Sequence, residues 1–249
     1  MIQINADDYG FTEQATAGII RAWELGYIDT TTACSNGECF ASAIALAREK
    51  HMVDRIGLHI NLTEGRPLTD AISQDSYFCR PDGSFHGLFP CHKRLEGFRR
   101  QEVEDEIQKQ IDMFRGAGLI ISHVDSHHHI HTGMGIAPAV ISVLKRNNLK
   151  MLRISRNVGA MSSQKRLAKK MFNLWLTANG FECSKFFGSI EDYISGNRID
   201  YYKKQKGICE IMVHPVLNEE GILLDNRGES YEAYGPELVD LIRAVGRIV

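Results

Sequence analysis

The sequence lacks the features expected of a membrane or secreted protein. Its uncharged apolar runs fall far short of the roughly 18–20 residues that a membrane-spanning helix needs, and no basic or apolar leader follows Met1. The 29 Lys and Arg residues against 31 Asp and Glu residues give a net charge of -2, which provides no general attraction for nucleic acid or an anionic membrane. We therefore expect a soluble, cytoplasmic protein with no nucleic-acid partner and no membrane partner.

Several common catalytic and cofactor motifs are also missing. The six cysteines include no Cys-x-x-Cys pair, so we expect them to be reduced structural thiols. The sequence has no Gly-x-Ser-x-Gly elbow, which argues against acyl transfer through serine. It also has no P-loop, the motif that binds the phosphates of nucleoside triphosphates. No Gly-x-Gly-x-x-Gly follows the first predicted strand, so the commonest dinucleotide signature is absent.

What the chain does contain is an alternation of short apolar runs and longer helical patterns. We predict strands at residues 2–6, 28–33, 55–62, 119–125, 149–154, 184–188 and 207–213, and helices at 12–25, 40–50, 99–117, 137–146, 163–179 and 235–245. Such alternation favours a parallel sheet covered by helices. With an eighth strand near the C-terminus, the pattern predicts one α/β domain over residues 1–249 folded as a closed or slightly irregular TIM-like barrel. An open doubly wound sheet is the alternative.

One segment interrupts this alternation. Residues 63–98 contain three prolines and little periodicity, and they directly follow the third predicted strand. A connection of this length inside a compact fold is usually functional or disordered. We predict a long loop that lies over a functional site.

Chemically capable side chains cluster where the predicted strands end. Because the carboxyl ends of parallel strands open on one face of a barrel, residues far apart in sequence converge there. The candidates are Asp7 and Asp8 after the first strand, His59 in the third, the run from Asp125 to His131 after the fourth, Arg153 after the fifth and His214 after the seventh.

The histidine run indicates a metal centre. In an extended segment, Asp125, His127, His129 and His131 would face one way, and the residues between them the other. Neutral imidazole is the commonest protein ligand for divalent transition metals. A catalytic centre with three protein ligands and an open position needs only one or two of these histidines. The spacing leaves open which of them bind, and it leaves the role of His128 open as well.

The same residues suggest a hydrolytic reaction. One carboxylate of the Asp7 and Asp8 pair would bind the metal while the other acts as a general base, and His214 would protonate the leaving group. These parts suit hydrolysis of an amide or ester. The alternatives are a barrel amidohydrolase or phosphoesterase that uses His127, His129 and His131 around two or three metals, and a metal-binding or sugar-binding protein without turnover.

Four motifs together resemble a known family. They are residues 5–10 (NADDYG), 57–68 (GLHINLTEGRPL), 123–131 (HVDSHHHIH) and 212–215 (MVHP), in matching order and spacing. The chain is similar in these segments to the YdjC-like carbohydrate deacetylases, a group that includes the chitooligosaccharide deacetylases. Arg153 matches an arginine of the family that orients an aspartate.

The resemblance implies a function and a set of site residues. It implies a TIM-like barrel that binds one divalent metal ion, Mg²⁺ or Zn²⁺, through Asp8, His59 and His127. It further implies that Asp7 is the general base on metal-bound water, that His214 is the general acid, that N-acetylated sugars or oligosaccharides are the substrate, and that the protein is a homodimer. One carboxylate and two imidazoles suit zinc, cobalt or nickel better than magnesium, so we expect a transition metal to bind.

Overall fold

A computed structural model of the chain describes residues 1–87, 91–95, 97–194, 201–202 and 204–226. The strands are β1 (Ile2–Tyr9), β2 (Thr30–Ala33), β3 (Ile56–Ile60), β4 (Val124–Ser126), β5 (Phe186–Ser189), β6 (Cys209–Val213), β7 (Pro215–Leu217) and β8 (Leu223–Asp225). The helices are α1 (Glu13–Glu24), α2 (Phe40–Glu49), α3 (Asp70–Gln74), α4 (Gly97–Gly116), α5 (Ala137–Arg146), α6 (Ser163–Ala178) and α7 (Ile190–Ile194), with 3-10 turns at Val53–Arg55 and His127–Thr132.

Six strands form one parallel sheet in the order β4-β3-β2-β1-β6-β5, and β7 and β8 form a separate antiparallel hairpin. Every residue of β2, β3, β4 and β6 is buried, as expected for parallel strands that are covered on both faces. Six of the seven predicted segments contain a strand, although in segment 119–125 it begins only at Val124, and the predicted α/β class with a parallel sheet is confirmed.

The predicted fifth strand, residues 149–154, is reduced to single bridges. Leu152 pairs with Val124 of β4, and Met151 pairs with Glu182, which precedes β5. The six-stranded sheet itself is a curled half-barrel. At Ser155 the side chain of Asn173, on α6, binds both backbone groups, at 2.9 and 3.0 Å. Within the described residues no eighth parallel strand is present; β7 and β8 run antiparallel instead.

Most predicted helices begin and end within about two residues of their observed bounds. Side-chain caps define two of the starts: the Thr12 hydroxyl accepts the N–H of Ala15, and the Ser162 hydroxyl accepts the N–H of Lys165. The predicted helix at 235–245 lies outside the described residues. No helix among those described is both long and apolar enough to cross a bilayer.

The long loop after β3 is anchored to α4 by a buried carboxylate. Glu106, on α4, is fully buried and accepts the backbone N–H of Leu68 at 2.9 Å and that of Thr69 at 2.8 Å. Further along the loop, Arg99 pairs with Asp75 at 2.7 Å. These bonds hold the described part of the loop, including α3, against the body of the fold.

Helix α1 packs closely on the β7–β8 hairpin at Gly18. A Cβ added at Gly18 would lie 2.5 Å from Val216 Cα and 2.6 Å from the carbonyl oxygen of Pro215, so only glycine permits this approach. We expect Gly18→Ala to lower the free energy of unfolding by about 1–3 kcal/mol, because backbone on both sides must shift. Chemical denaturation measures this change.

A helical glycine in open space provides the control. A Cβ at Gly116, on α4, meets nothing within 4 Å, so Gly116→Ala should be neutral or stabilise the fold by up to about 1 kcal/mol. Equal effects of the two substitutions would contradict the close packing of α1 on the hairpin. Because the hairpin directly follows His214, Gly18→Ala also tests whether this packing positions that histidine.

Candidate metal centre

Asp7 and Asp8 lie on a bulge at the carboxyl end of β1. The register with β2 shifts between Ala6 and Tyr9, so that β1 contains one extra residue there. Asp8 has a φ of +73°, which is uncommon for a residue other than glycine. The bend at Asp8 directs both adjacent carboxylates toward one group of buried polar side chains.

Two imidazoles converge on the carboxylate of Asp8. His59 Nε2 lies 3.1 Å and His127 Nδ1 lies 2.7 Å from Asp8 Oδ1. The other ring nitrogen of His59, Nδ1, lies 2.6 Å from Asp125 Oδ1. His59 Nε2 is buried and has no hydrogen-bond partner among the described residues. A buried nitrogen without a hydrogen bond, facing a carboxylate and a second imidazole, fits a divalent cation.

The electrostatics of this cluster also favour a cation. Burial tends to raise the pKa of Asp8, but the hydrogen bond from His127 and the nearby imidazole of His59 outweigh it and hold that pKa well below its ordinary value. Burial tends to lower the pKa of His59, and the carboxylates of Asp125 and Asp8 raise it to about 10. Without a metal the centre therefore keeps a proton on His59, and a divalent ion would replace that positive charge.

The guanidinium of Arg153 bridges three carboxylates, those of Asp7, Asp125 and Glu210. Its guanidinium contacts Asp7 through two hydrogen bonds of 2.6 and 2.8 Å, Asp125 Oδ2 at 2.6 Å and Glu210 Oε1 at 2.6 Å. All four side chains are buried. Burial tends to raise the pKa of Asp125, but the charges of Arg153 and His59 hold it below its ordinary value. One guanidinium thus faces three carboxylates, which leaves an excess of negative charge beside Asp8.

The histidine run is not extended, so the predicted alternation of its side chains is wrong. Strand β4 ends at Ser126, and a 3-10 turn follows over His127–Thr132. Inside this turn His128 and His129 have φ values of +52° and +54°. Two successive left-handed residues rotate each side chain to a different direction, which a strand pattern in the sequence does not reveal.

The turn separates the histidines into different environments. Only His127 points toward Asp8. The others contact different groups: His128 Nδ1 lies 3.0 Å from the Thr63 hydroxyl, the His129 ring packs on Phe187, and His131 lies 2.5 Å from the Ser126 hydroxyl and 3.0 Å from the Arg153 carbonyl oxygen. Since both nitrogens of His131 are engaged, the set His127, His129 and His131 does not assemble around one position within the described residues.

His131 should make the stability of the fold depend on pH. Burial lowers its pKa to about 4. The unfolded chain takes up a proton near pH 6.5, whereas the folded chain does not until about pH 4, so the stability present above pH 6.5 is lost as the pH falls through this window. Between pH 7.5 and pH 5 the loss from this one residue amounts to about 2 kcal/mol.

Denaturation at the two pH values, with EDTA present, measures this contribution. We expect His131→Gln to have a smaller difference in unfolding free energy between pH 7.5 and pH 5 than the wild type. His51 is exposed and has a φ of +54°, which asparagine tolerates, so His51→Asn is the matched control and should keep the wild-type difference. An unchanged difference in His131→Gln would contradict a buried, neutral His131.

His214 lies directly after β6, at the rim formed by the carboxyl ends of the neighbouring strands β1 and β6. Its N–H donates to Asp225 Oδ2 at 3.3 Å and its carbonyl oxygen accepts the N–H of Asn226 at 2.9 Å, so β8 fixes its backbone. The structure thus brings Asp7, Asp8, His59 and His127 together, with His214 at the adjacent strand end.

Sequence reasoning missed three residues near the centre. Glu64 Oε2 lies 3.2 Å from His127 Nε2, Glu210 contacts Arg153, and the Cys34 thiol is fully buried within 4.8 Å of ligand atoms of Asp8 and His59. Glu210 had a detectable signal, because a charged residue inside an otherwise apolar strand needs a buried partner. Glu64 lies within one of the quoted motifs, whereas nothing in the sequence distinguishes Cys34.

A cavity lies away from this cluster. It has a volume of about 680 Å³ and lies between α6 and residues 181–185, with Arg166, Lys170 and Lys185 in its lining. It contains none of the clustered carboxylates and imidazoles. The cavity is therefore separate from the candidate metal centre.

Known proteins resemble this chain over most of its length. The sequence model of the family described as YdjC-like protein matches residues 1–237. A carbohydrate deacetylase from Halalkalibacterium halodurans is 30% identical over 236 residues, which cover 92% of this chain and 92% of that protein. A carbohydrate deacetylase from Brevibacillus brevis is 29% identical over 232 residues, which cover 92% of this chain and 85% of the relative.

A solved structure shares the fold. It is a protein from Enterococcus faecalis V583 to which cellobiose-phosphate cleavage has been provisionally attributed. The two chains superpose with a TM-score of 0.71 at 23% sequence identity, covering 98% of this chain and 94% of the other. At this identity the likeness supports the architecture and nothing further.

Proposed function

The chain belongs to the YdjC-like protein family, and from that premise we propose that it is a metal-dependent carbohydrate deacetylase, a hydrolase that removes N-acetyl groups from acetylated sugars or oligosaccharides. The observation that carries this proposal is the convergence of His59 and His127 on Asp8, with Asp7 beside them. Relatives named carbohydrate deacetylase, aligned over most of the chain, supply the substrate class.

Asp8, His59 and His127 are the residues that would hold the ion. A divalent metal at this position would polarise the acetyl carbonyl and make water more acidic. The unpartnered His59 Nε2 and the negative charge around Arg153 support its binding. We propose a transition metal such as Zn²⁺ over Mg²⁺, since Mg²⁺ prefers a set of oxygen ligands.

Asp7 is the proposed general base. Its Oδ1 accepts hydrogen bonds from Arg153 and from Asn5, whereas its Oδ2 accepts one from Arg153. Oδ2 therefore keeps the more available lone pair for the proton of the attacking water. The bidentate guanidinium fixes the carboxylate in one orientation, which a base that acts on a positioned water requires.

His214 is the proposed general acid. Attack by water on the acetyl carbon forms a C–O bond, and the C–N bond then breaks to give acetate and a free amino sugar. The departing nitrogen needs a proton, and an imidazolium of His214 at the rim would donate it. The backbone bonds from His214 to β8 hold this residue at the end of β6.

The reaction class is tested by the products. Purified protein is incubated with di-N-acetylchitobiose and separately with phosphorylated sugars, and acetate and inorganic phosphate are measured. Acetate release in equal amounts with new primary amine supports the deacetylase. Phosphate release without acetate would support a barrel phosphoesterase and overturn the proposal.

The remaining expectations of the sequence analysis also form part of this proposal. They are one domain over residues 1–249, a TIM-like closure of the half-barrel, a homodimer and a cytoplasmic location. Light scattering tests the assembly: the proposal expects twice the mass of one chain, and the mass of a single chain would contradict the dimer.

A further inference from the structure

The two imidazoles that face Asp8, those of His59 and His127, have the same pattern of contacts. His59 presents Nε2 to Asp8 and Nδ1 to a carboxylate oxygen of Asp125 at 2.6 Å. His127 presents Nδ1 to Asp8 at 2.7 Å and Nε2 to a carboxylate oxygen of Glu64 at 3.2 Å. Each ring thus has one nitrogen at the centre and the other beside a carboxylate outside it.

We propose that Glu64 is a positioning residue for His127. By accepting the N–H of His127 Nε2, it fixes the tautomer in which Nδ1 is unprotonated and faces Asp8, so that Nδ1 is the nitrogen that binds the metal. Carboxylates commonly orient metal-binding histidines in this way. The inference rests on the metal centre of the proposed function, and it adds a residue to which the sequence motifs assign no role.

The backbone of Glu64 is held in place by a buried amide. Asn61 is fully buried, and its Oδ1 accepts the N–H groups of Thr63 and Glu64, each at 3.1 Å. Its Nδ2 donates to the carbonyl oxygen of Glu64 at 2.8 Å. The Glu64 side chain therefore begins from a fixed backbone position, which is what an orienting contact requires.

The neighbouring groups of Glu64 leave His127 as its hydrogen-bond partner. His128 Nε2 lies 3.9 Å from Glu64 Oε1, which is too long for a hydrogen bond. The Glu64 side chain is 47% exposed, whereas the Asp125 side chain is 0% exposed. Water competes for a half-exposed carboxylate, so we expect Glu64 to act more weakly on His127 than Asp125 does on His59.

Metal titration without substrate tests the assignment. EDTA-stripped wild type, Glu64→Ala and Glu64→Gln are titrated with Zn²⁺ in a calorimeter. We expect Glu64→Ala to weaken Zn²⁺ binding by about 10- to 100-fold at an unchanged stoichiometry of one. Glu64→Gln keeps a carbonyl acceptor and should lie within a few-fold of the wild type. Glu49→Ala removes an exposed carboxylate elsewhere and is the control for net charge.

Nitrogen NMR gives a readout that a merely structural role would not change. The ¹⁵N signals of His127, assigned against a His127→Gln variant, should show the Nε2–H tautomer in zinc-loaded wild type, and the Nε2 chemical shift should move in Glu64→Ala because the hydrogen bond to the carboxylate is lost. Wild-type affinity in Glu64→Ala would overturn the proposal, as would an Nδ1–H tautomer in the wild type. A stoichiometry that falls from two ions to one would make Glu64 a ligand of a second metal and would also overturn it.

These outcomes are separable from those of the proposed function. Zinc binding and tautomer state are measured with no sugar present. Absence of acetate release together with the expected zinc results would overturn the deacetylase and leave Glu64 as a positioning residue. Acetate release by the wild type, together with unchanged zinc binding in Glu64→Ala, would support the deacetylase and overturn the role of Glu64.

Discussion

Replacement of Asp7 by asparagine should leave the metal bound and reduce turnover by about 10³-fold or more. The amide oxygen cannot take a proton from water, and the amide nitrogen would face the guanidinium of Arg153, which now contacts both carboxylate oxygens at 2.6 and 2.8 Å. The proposed ligands Asp8, His59 and His127 are not altered, so Zn²⁺ affinity should stay close to that of the wild type. Initial rates of acetate release, with calorimetry on the same samples, provide both values.

A second carboxylate beside β1 serves as the matched control. Asp29 Oδ2 accepts the N–H of Ile4 at 2.8 Å, and an asparagine there keeps an acceptor oxygen. Asp29→Asn should therefore retain activity, which separates loss of the base from a general disturbance of β1. Turnover of Asp7→Asn within tenfold of the wild type would contradict its role as the base.

Replacement of Asp8 by asparagine should abolish metal binding and activity together. Asparagine tolerates the left-handed conformation at this position, where φ is +73°, so the bulge of β1 should persist. The variant removes the charge on which His59 and His127 converge at 3.1 and 2.7 Å. We expect Zn²⁺ affinity to fall by about 10³-fold or more, beyond the 10- to 100-fold range typical of residues that only orient ligands.

The contrast between adjacent carboxylates makes this prediction specific. Asp7→Asn should lose turnover and keep the ion, whereas Asp8→Asn should lose both. A circular dichroism spectrum and an unfolding curve like those of the wild type would exclude loss of the fold. Tight binding of Zn²⁺ by Asp8→Asn would contradict the assignment of Asp8 as a ligand.

The sequence predicts the parallel α/β architecture well because burial on both faces leaves a clear record. Strands such as β3 and β6 are apolar except for one polar residue each, His59 and Glu210, and the helices between the strands follow the 3.6-residue period. Residues 149–154, by contrast, form only single bridges, and the side chain of Asn173 takes the backbone groups of the next residue, Ser155. A side chain that competes with a strand for backbone groups has no periodic signal.

The sequence predicts which residues belong to the site better than it predicts where their side chains point. Strand order brings Asp7, Asp8 and His59 to one edge, as expected from the carboxyl ends of parallel strands. The direction of each side chain depends on backbone conformation at single residues, namely the bulge at Asp8 and the left-handed His128 and His129. For this reason the alternation expected in the histidine run was wrong, although His127 itself points toward Asp8.

The contacts that tune the centre are also long-range. Asp125 lies two residues before His127 in sequence, yet it orients His59, which β3 places directly beside β4. Glu210 reaches Arg153 across the interior of the half-barrel. Neither pairing follows from local spacing, because both depend on which strands are neighbours.

The most direct test of the central claim is acetate release from di-N-acetylchitobiose by metal-stripped protein, before and after Zn²⁺, Co²⁺ or Mg²⁺ is restored. The account predicts no release from the stripped protein, and full release once one equivalent of a transition metal is bound. Release that is unaffected by stripping would contradict the metal-dependent mechanism. No release with any of the three ions, despite binding of one ion per chain, would contradict the proposed substrate.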